Sequence, residues 1–202
     1  MLIWLNGPYG GGKTQTAYEL HRRLPGSVVC DPEEVGFGLH RMTPRPLRGD
    51  FQDLAAWRHG VREVLDLVLR RHEAGGPVLA PMTLVEPAYF AEIVGALRDA
   101  GHDVRHYALL ARRETVLRRL AERGLGRGLK RESFAVSRLD HCLERLALPD
   151  FAEHVRTDRS TVPQVAEAVA ASASLSLLPN TDGPFRHRLR RARVGLRHIR
   201  HG

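Results

Sequence analysis

The stretch Gly7-Pro8-Tyr9-Gly10-Gly11-Gly12-Lys13-Thr14 constrains this chain more than any other. It matches G-x-x-x-x-G-K-[ST] without deviation and follows the short apolar run Leu2-Ile3-Trp4-Leu5-Asn6. Behind it, Ala17, Leu20 and Leu24 carry helical spacing up to the stop at Pro25-Gly26. A strand that enters a glycine turn and leaves as a helix is a phosphate cradle. The glycines let successive backbone N–H groups converge on phosphate oxygens, and the new helix adds its N-terminal partial charge. The expected ligand is a nucleoside triphosphate, ATP with Mg²⁺. Gly7, Tyr9, Gly10, Gly11, Gly12, Lys13, Thr14 and Gln15 form its binding loop, Lys13 acts on the transferred phosphoryl group, and the Thr14 hydroxyl is a ligand for Mg²⁺.

The rest of the chain repeats the strand and helix alternation. Val28-Val29-Cys30, Val78-Leu79-Ala80, Val104 to Leu110 and His154-Val155-Arg156 read as further strands. Helical spacing runs from about Phe51 to His72, from Pro87 to about Gly101, from Glu114 to Arg123 and on to about Leu146. Thr161-Val162-Pro163-Gln164 has the spacing of a capping box ahead of a last core helix. This pattern predicts an α/β fold: a doubly wound, mostly parallel five-stranded sheet with helices on both faces, of the P-loop NTPase and nucleotide-kinase kind. The 202 residues suit one core, expected over residues 1–174 with a mobile lid at about 112–146 and a linker and tail over 175–202. Thr43 to Arg48, with two prolines, reads as a loop.

Charge is unevenly spread. Seven of the eight excess positive charges are arginines between Arg186 and Gly202, a stretch without acids. There, Phe185, Leu189, Ala192, Leu196 and Ile199 recur at helical spacing, the pattern of a basic amphipathic helix suited either to an anionic membrane surface or to docking on the body. Aromatic residues do not interleave its arginines, so a specific nucleic-acid partner is not expected. No run is apolar for long enough to span a bilayer, and Met1 leads directly into the first strand without a charged leader. Two cysteines without metal spacing fit a reducing cytoplasm, the expected location, with peripheral contact at the inner membrane face through the tail.

Beyond the loop, the carboxyl ends of the strands should carry the chemistry. Asp31 closes the second strand and is the candidate base for an acceptor hydroxyl, or a second ligand for Mg²⁺. The third strand ends in Pro81-Met82-Thr83 without an acid, so the metal must rely on Asp31 or Glu33, or on Thr14 and water. Arg112, Arg119 and Arg123 lie near one face of the helix after the fourth strand, a candidate lid cluster for charge developing on the phosphoryl group.

Ile3-Trp4-Leu5-Asn6-Gly7, Gly12-Lys13-Thr14-Gln15-Thr16-Ala17, Glu19 to Leu24, Asp31-Pro32-Glu33, Pro81-Met82-Thr83 and Glu114-Thr115 with Leu117, Arg119 and Leu120 resemble the bacterial tunicamycin-resistance ATP-binding proteins. The layout is similar, more distantly, to nucleotide, shikimate and chloramphenicol kinases. The resemblance implies handling of a uridine-containing, acylated sugar antibiotic, and the kinase-like layout suggests its inactivation by phosphorylation. Under it, Asp31 takes the acceptor side, Arg112 lies by the nucleotide, and Arg119 and Arg123 act at the transferred group. The substrate pocket would be lined by the segment from Gly36 to Trp57, with Phe37, Phe51 and Trp57, and by Met82, Thr83 and Tyr89. Two other readings stay open: an ATP-dependent protein that sequesters the drug without reaction, and a nucleoside or nucleotide kinase.

Overall fold

The computed structural model describes residues 1–123, 133–151 and 153–181, with Arg123 described through its backbone alone. The glycine-punctuated stretch 124–132 and the basic tail from 182 onward lie outside the described residues, as does the side chain of Arg123.

Five parallel strands form one sheet in the order β2-β3-β1-β4-β5. They are β1 (Leu2–Asn6), β2 (Val28–Val29), β3 (Val78–Pro81), β4 (Val104–Leu110) and β5 (His154–Arg156). Central β1 is buried along its whole length, and its side chains alternate between two cores, as the pleat requires. Leu2 and Trp4 face a core made with Trp57, Val61 and Leu65 of one long helix and with Ile93, Val94 and Leu97. Ile3 and Leu5 face the opposite core, with Ala17, Leu20, Val165, Ala166 and Val169. A strand apolar on both faces can only be central, so the sheet is covered on both sides.

The covering helices are α1 (Lys13–Arg23), α2 (Glu33–Met42), α3 (Ala55–Arg71), α4 (Pro87–Phe90), α5 (Ala96–Asp99), α6 (Arg113–Arg123), α7 (Ser133–Ser137), α8 (Leu139–Leu146) and α9 (Val162–Ser172). A π-helical turn, Ala91–Gly95, joins α4 to α5 and keeps Ile93 and Val94 buried. The Thr161 hydroxyl accepts the Gln164 N–H while Gln164 reaches back to the Thr161 N–H, the capping box expected at α9.

Three elements differ from the sequence reading. The helix expected from Phe51 begins at Ala55, because Asp50 caps a separate 3-10 turn, Phe51–Asp53, by accepting the Gln52 N–H. Helix α2 occupies a stretch not read as helical. The segment expected to be a linker from Leu175 instead runs back along α1. Leu175 and Leu177 pack on the α1–α9 core, the Leu178 N–H donates to Arg23 O, and Arg22 donates to Asn180.

Candidate active site

The loop after β1 is shaped by contacts that a side chain would break. Gly7 has φ +150, and a Cβ there would lie 2.9 Å from the carbonyl oxygen of Leu109. At Gly10, φ is +76, and a Cβ would lie 2.9 Å from Leu120 of α6. The loop is thus pressed against β4 on one side and α6 on the other. Lys13 opens α1 with its ammonium donating to Pro8 O at 3.1 Å, over the Tyr9 ring at 5.6 Å from the centroid. The chain bends the charge back over the loop, where phosphate oxygens would meet it.

The loop is fixed from behind by Asn6, which is 0% exposed. Its Oδ1 accepts the N–H groups of Gly7 (2.8 Å) and Leu84 (3.0 Å), and its Nδ2 donates to Leu84 O (2.7 Å) and lies 3.2 Å from His106 Nε2. Thr83 adds a bond from its hydroxyl to Gly7 O at 2.9 Å. One side chain therefore ties the first loop residue to the segment after β3. Truncation in Asn6→Ala strands several buried polar groups, and we expect a loss of about 3 kcal/mol of stability, read as a lower urea midpoint.

Asp31 follows β2 shortly before α2, and its carboxylate accepts the Glu33 N–H at 3.0 Å. Burial, reinforced by the nearby Glu33 and Glu34 carboxylates, raises its pKa to about 7, although the Glu33 N–H and Lys13 pull the other way. A carboxyl poised near neutrality, within electrostatic reach of the loop lysine, is suited to accept a proton.

Between the loop and α8 lies a cavity lined by Tyr9, the Asp50, Gln52 and Asp53 turn, Thr83, Glu86 and Tyr89 after β3, and Phe134, Arg138 and His141 of the α7–α8 region. Tyr9 meets Phe134 edge-on at 5.7 Å, and burial together with Glu33 and Asp50 pushes its hydroxyl pKa up. The wall is acid-rich: Arg138 reaches Asp50 at 3.5 Å, and His141 Nε2 lies 3.5 Å from Glu86. Tyr89 donates to Asp53 at 3.0 Å.

Of the expected substrate residues, Thr83 and Tyr89 line this cavity. Trp57 and Met82 are 0% exposed and belong to the core, so neither presents surface to a ligand here. Trp57 donates from Nε1 to Pro32 O at 3.0 Å, and its ring meets Phe51 at 5.5 Å, which in turn meets Phe37 at 6.2 Å. These aromatics brace the Asp31-Pro32 turn from beneath. Asp50, Gln52 and Asp53 lie within the segment Gly36 to Trp57 expected to line the pocket, whereas Glu86, Arg138 and His141 were not read from sequence.

At the opposite side of the loop, Asp158 accepts the Arg112 N–H at 2.7 Å and the Thr115 hydroxyl at 3.1 Å, fastening the start of α6 to the end of β5. Arg112, Arg156, Asp158, Arg159 and Ser160 line an open basin there. Arg119 donates to the Thr157 carbonyl (2.6 Å) and hydroxyl (3.1 Å), so its guanidinium joins α6 to β5. For a metal, the Thr14 hydroxyl in the first turn of α1 and the Asp31 carboxylate supply oxygen donors. That set fits Mg²⁺, which takes few protein ligands beside phosphate and water. The mutual repulsion of Asp31, Glu33 and Glu34 is a charge imbalance that a cation would relieve. Among the described residues no group of three or more His, Cys, Asp or Glu converges as a metal cage.

A family model described as an AAA domain matches residues 2–149. The solved tunicamycin resistance protein of Deinococcus radiodurans shares 34% identity over 89% of this chain and 99% of its own, with a TM-score of 0.72. The chain belongs to this tunicamycin-resistance family of P-loop proteins. A sugar kinase of a Janibacter species (17% identity, TM-score 0.56, 86% of this chain and 94% of that one) shares its fold. So does the APS kinase of Mycobacterium tuberculosis, solved with AMPPNP and APS (20%, 0.58, 86% and 96%). No curated protein matches the chain. The P-loop kinase fold is thereby established, with the five-stranded parallel sheet expected from sequence. Among the described residues, no helix of this family member is long and apolar enough to cross a membrane.

Proposed function

We propose that this protein confers resistance by transferring the γ-phosphoryl group of ATP to a hydroxyl of a tunicamycin-like nucleoside antibiotic in the cytoplasm. The observation that carries the reading is Asp31: a carboxyl raised to about 7, within the field of Lys13, at the sheet edge that holds the phosphate loop. A base poised near neutrality at this edge suits proton removal from an acceptor hydroxyl, a step that sequestration does not require. The kinship with the tunicamycin resistance protein of Deinococcus radiodurans supports the choice of drug.

In this reading the backbone N–H groups of Gly10 to Thr14 and the Lys13 ammonium hold the phosphates, and the open basin at Arg112 and Arg159 receives the nucleoside end. The acceptor enters the cavity between Tyr9 and Arg138. Asp31 takes the proton from the acceptor hydroxyl as that oxygen bonds to the γ-phosphorus and the bond to ADP breaks. Lys13 stabilises charge on the transferred group. Mg²⁺, held through the Thr14 hydroxyl and water, would neutralise the phosphate oxygens when bound.

The acid-rich cavity wall favours an uncharged, hydroxyl-bearing acceptor. A carboxylate or sulfate would meet Asp50, Asp53 and Glu86, while Arg138 and His141 are already paired with two of them. We expect tunicamycin to stimulate ADP formation at least tenfold over ATP alone, with shikimate and APS inert, in a coupled ADP-release assay. Stimulation by uridine but not by the drug would favour a nucleoside kinase, and drug binding without ADP release would sink the enzymatic reading.

A further inference from the structure

The turn that supplies Asp50 to the cavity is preceded by a loop with an unusual surface. From Arg41 and Met42 at the end of α2, through the 3-10 turn Arg45–Leu47, to Gly49 every residue but Thr43 is exposed, and the run includes two large apolar side chains, Met42 at 84% and Leu47 at 74% exposure. Three arginines, Arg41, Arg45 and Arg48, stand among them, and no acid occurs between Val35 and Gly49. The loop is held in shape. The Thr43 hydroxyl donates to Leu39 O, Arg48 Nε donates to Thr43 O, and His40 Nε2 lies 3.1 Å from Gly49 O. Pro44 and Pro46 restrict the backbone further.

Keeping Met42 and Leu47 in water has no folding benefit, since both could be polar without disturbing a contact of the core. Arginines beside exposed apolar side chains on a pre-formed loop match the interface of an anionic bilayer. There the apolar groups enter the acyl boundary and the guanidinium groups meet phosphate headgroups. We infer that the Arg41–Gly49 loop is a membrane-docking element that seats the protein on anionic lipid through Met42 and Leu47. The loop ends at Asp50, so docking would hold the acceptor cavity beside the lipid surface, where an acylated substrate partitions. The inference stands on the loop's own composition and exposure and does not depend on the reaction assigned above.

The full chain also carries the arginine-rich tail, so bulk vesicle binding does not locate the contact. Leu47→Trp does, because Trp4 and Trp57 are both 0% exposed and their emission already reports buried indole. With full-length Leu47→Trp protein and phosphatidylglycerol–phosphatidylcholine vesicles, the added emission should shift to the blue and be quenched by brominated acyl chains. Pure phosphatidylcholine should leave it unchanged, and about 0.5 M salt should weaken the shift. In the otherwise native chain, Met42→Ser with Leu47→Ser should lower vesicle affinity about tenfold, by removing two apolar side chains from the interface, with ATP binding unaltered. Vesicle binding with no change in the Leu47→Trp emission would overturn the inference. So would an emission shift produced by RNA, or by raising the protein concentration alone, in the absence of a response to vesicles.

Discussion

Lys13→Ala is expected to lower ATP-dependent phosphoryl transfer by about 10²–10³-fold or more, the cost of removing a preorganised charge from the reacting group. Lys13 is 7% exposed, and its ammonium is already turned back to Pro8 O, so little reorganisation is needed when the nucleotide arrives. The loop itself should survive, because its shape rests on Gly7, Gly10 and the Asn6 bonds rather than on the lysine. The variant should therefore show a near-native unfolding transition together with lost turnover. It should also move Asp31: Lys13 is one of the groups that lowers its pKa, so proton uptake at Asp31 should persist to higher pH in the variant, measurable by carboxyl NMR titration.

Asp31→Asn should show opposite effects on activity and stability. Loss of the base is expected to reduce turnover by about 10²–10⁴-fold while ATP still binds. Stability should rise. The native carboxyl has a pKa of about 7 against 3.8 for the ordinary group, so the folded state binds a proton more tightly than the unfolded chain. The stability it contributes is present below pH 4 and is lost as pH rises toward 7. Asparagine has no charge to desolvate and can still accept the Glu33 N–H. At pH 8 the variant should gain about 4 kcal/mol, a rise in Tm of about 10 °C, and the gain should vanish near pH 4. Thermal scans across that range check it. A variant as inactive as expected but no more stable at pH 8 would show that Asp31 is not held against its own ionisation.

The phosphate loop was legible in the sequence and most of the cavity was not, for a physical reason. The phosphate loop is local: eight consecutive residues hold the glycines, the lysine and the hydroxyl, and the flanking strand and helix are read from their immediate neighbours. Central strand β1, apolar on both faces, announced a covered parallel sheet in the same way. Helix α2 was legible only in part: Val35, Leu39 and Met42 recur at helical spacing, but Gly36 and Gly38 interrupt the stretch, and a Cβ at Gly36 would lie 2.6 Å from the Phe51 ring. The cavity draws Tyr9, Asp50, Glu86, Arg138 and His141 from segments far apart in the chain, and their pairing exists only after the sheet is assembled. Trp57 and Met82 erred in the other direction. The family resemblance placed them on a ligand surface, but position in the two-sided core decided their burial.

Phosphoryl transfer to the drug can be read directly by mass spectrometry of tunicamycin incubated with the purified full-length protein, ATP and Mg²⁺, beside the Lys13→Ala variant. A drug heavier by one phosphoryl group is expected with the native protein, and unchanged drug with the variant. Unmodified drug in both, under conditions where the native protein binds it, would contradict phosphoryl transfer and leave ATP-dependent sequestration as the function.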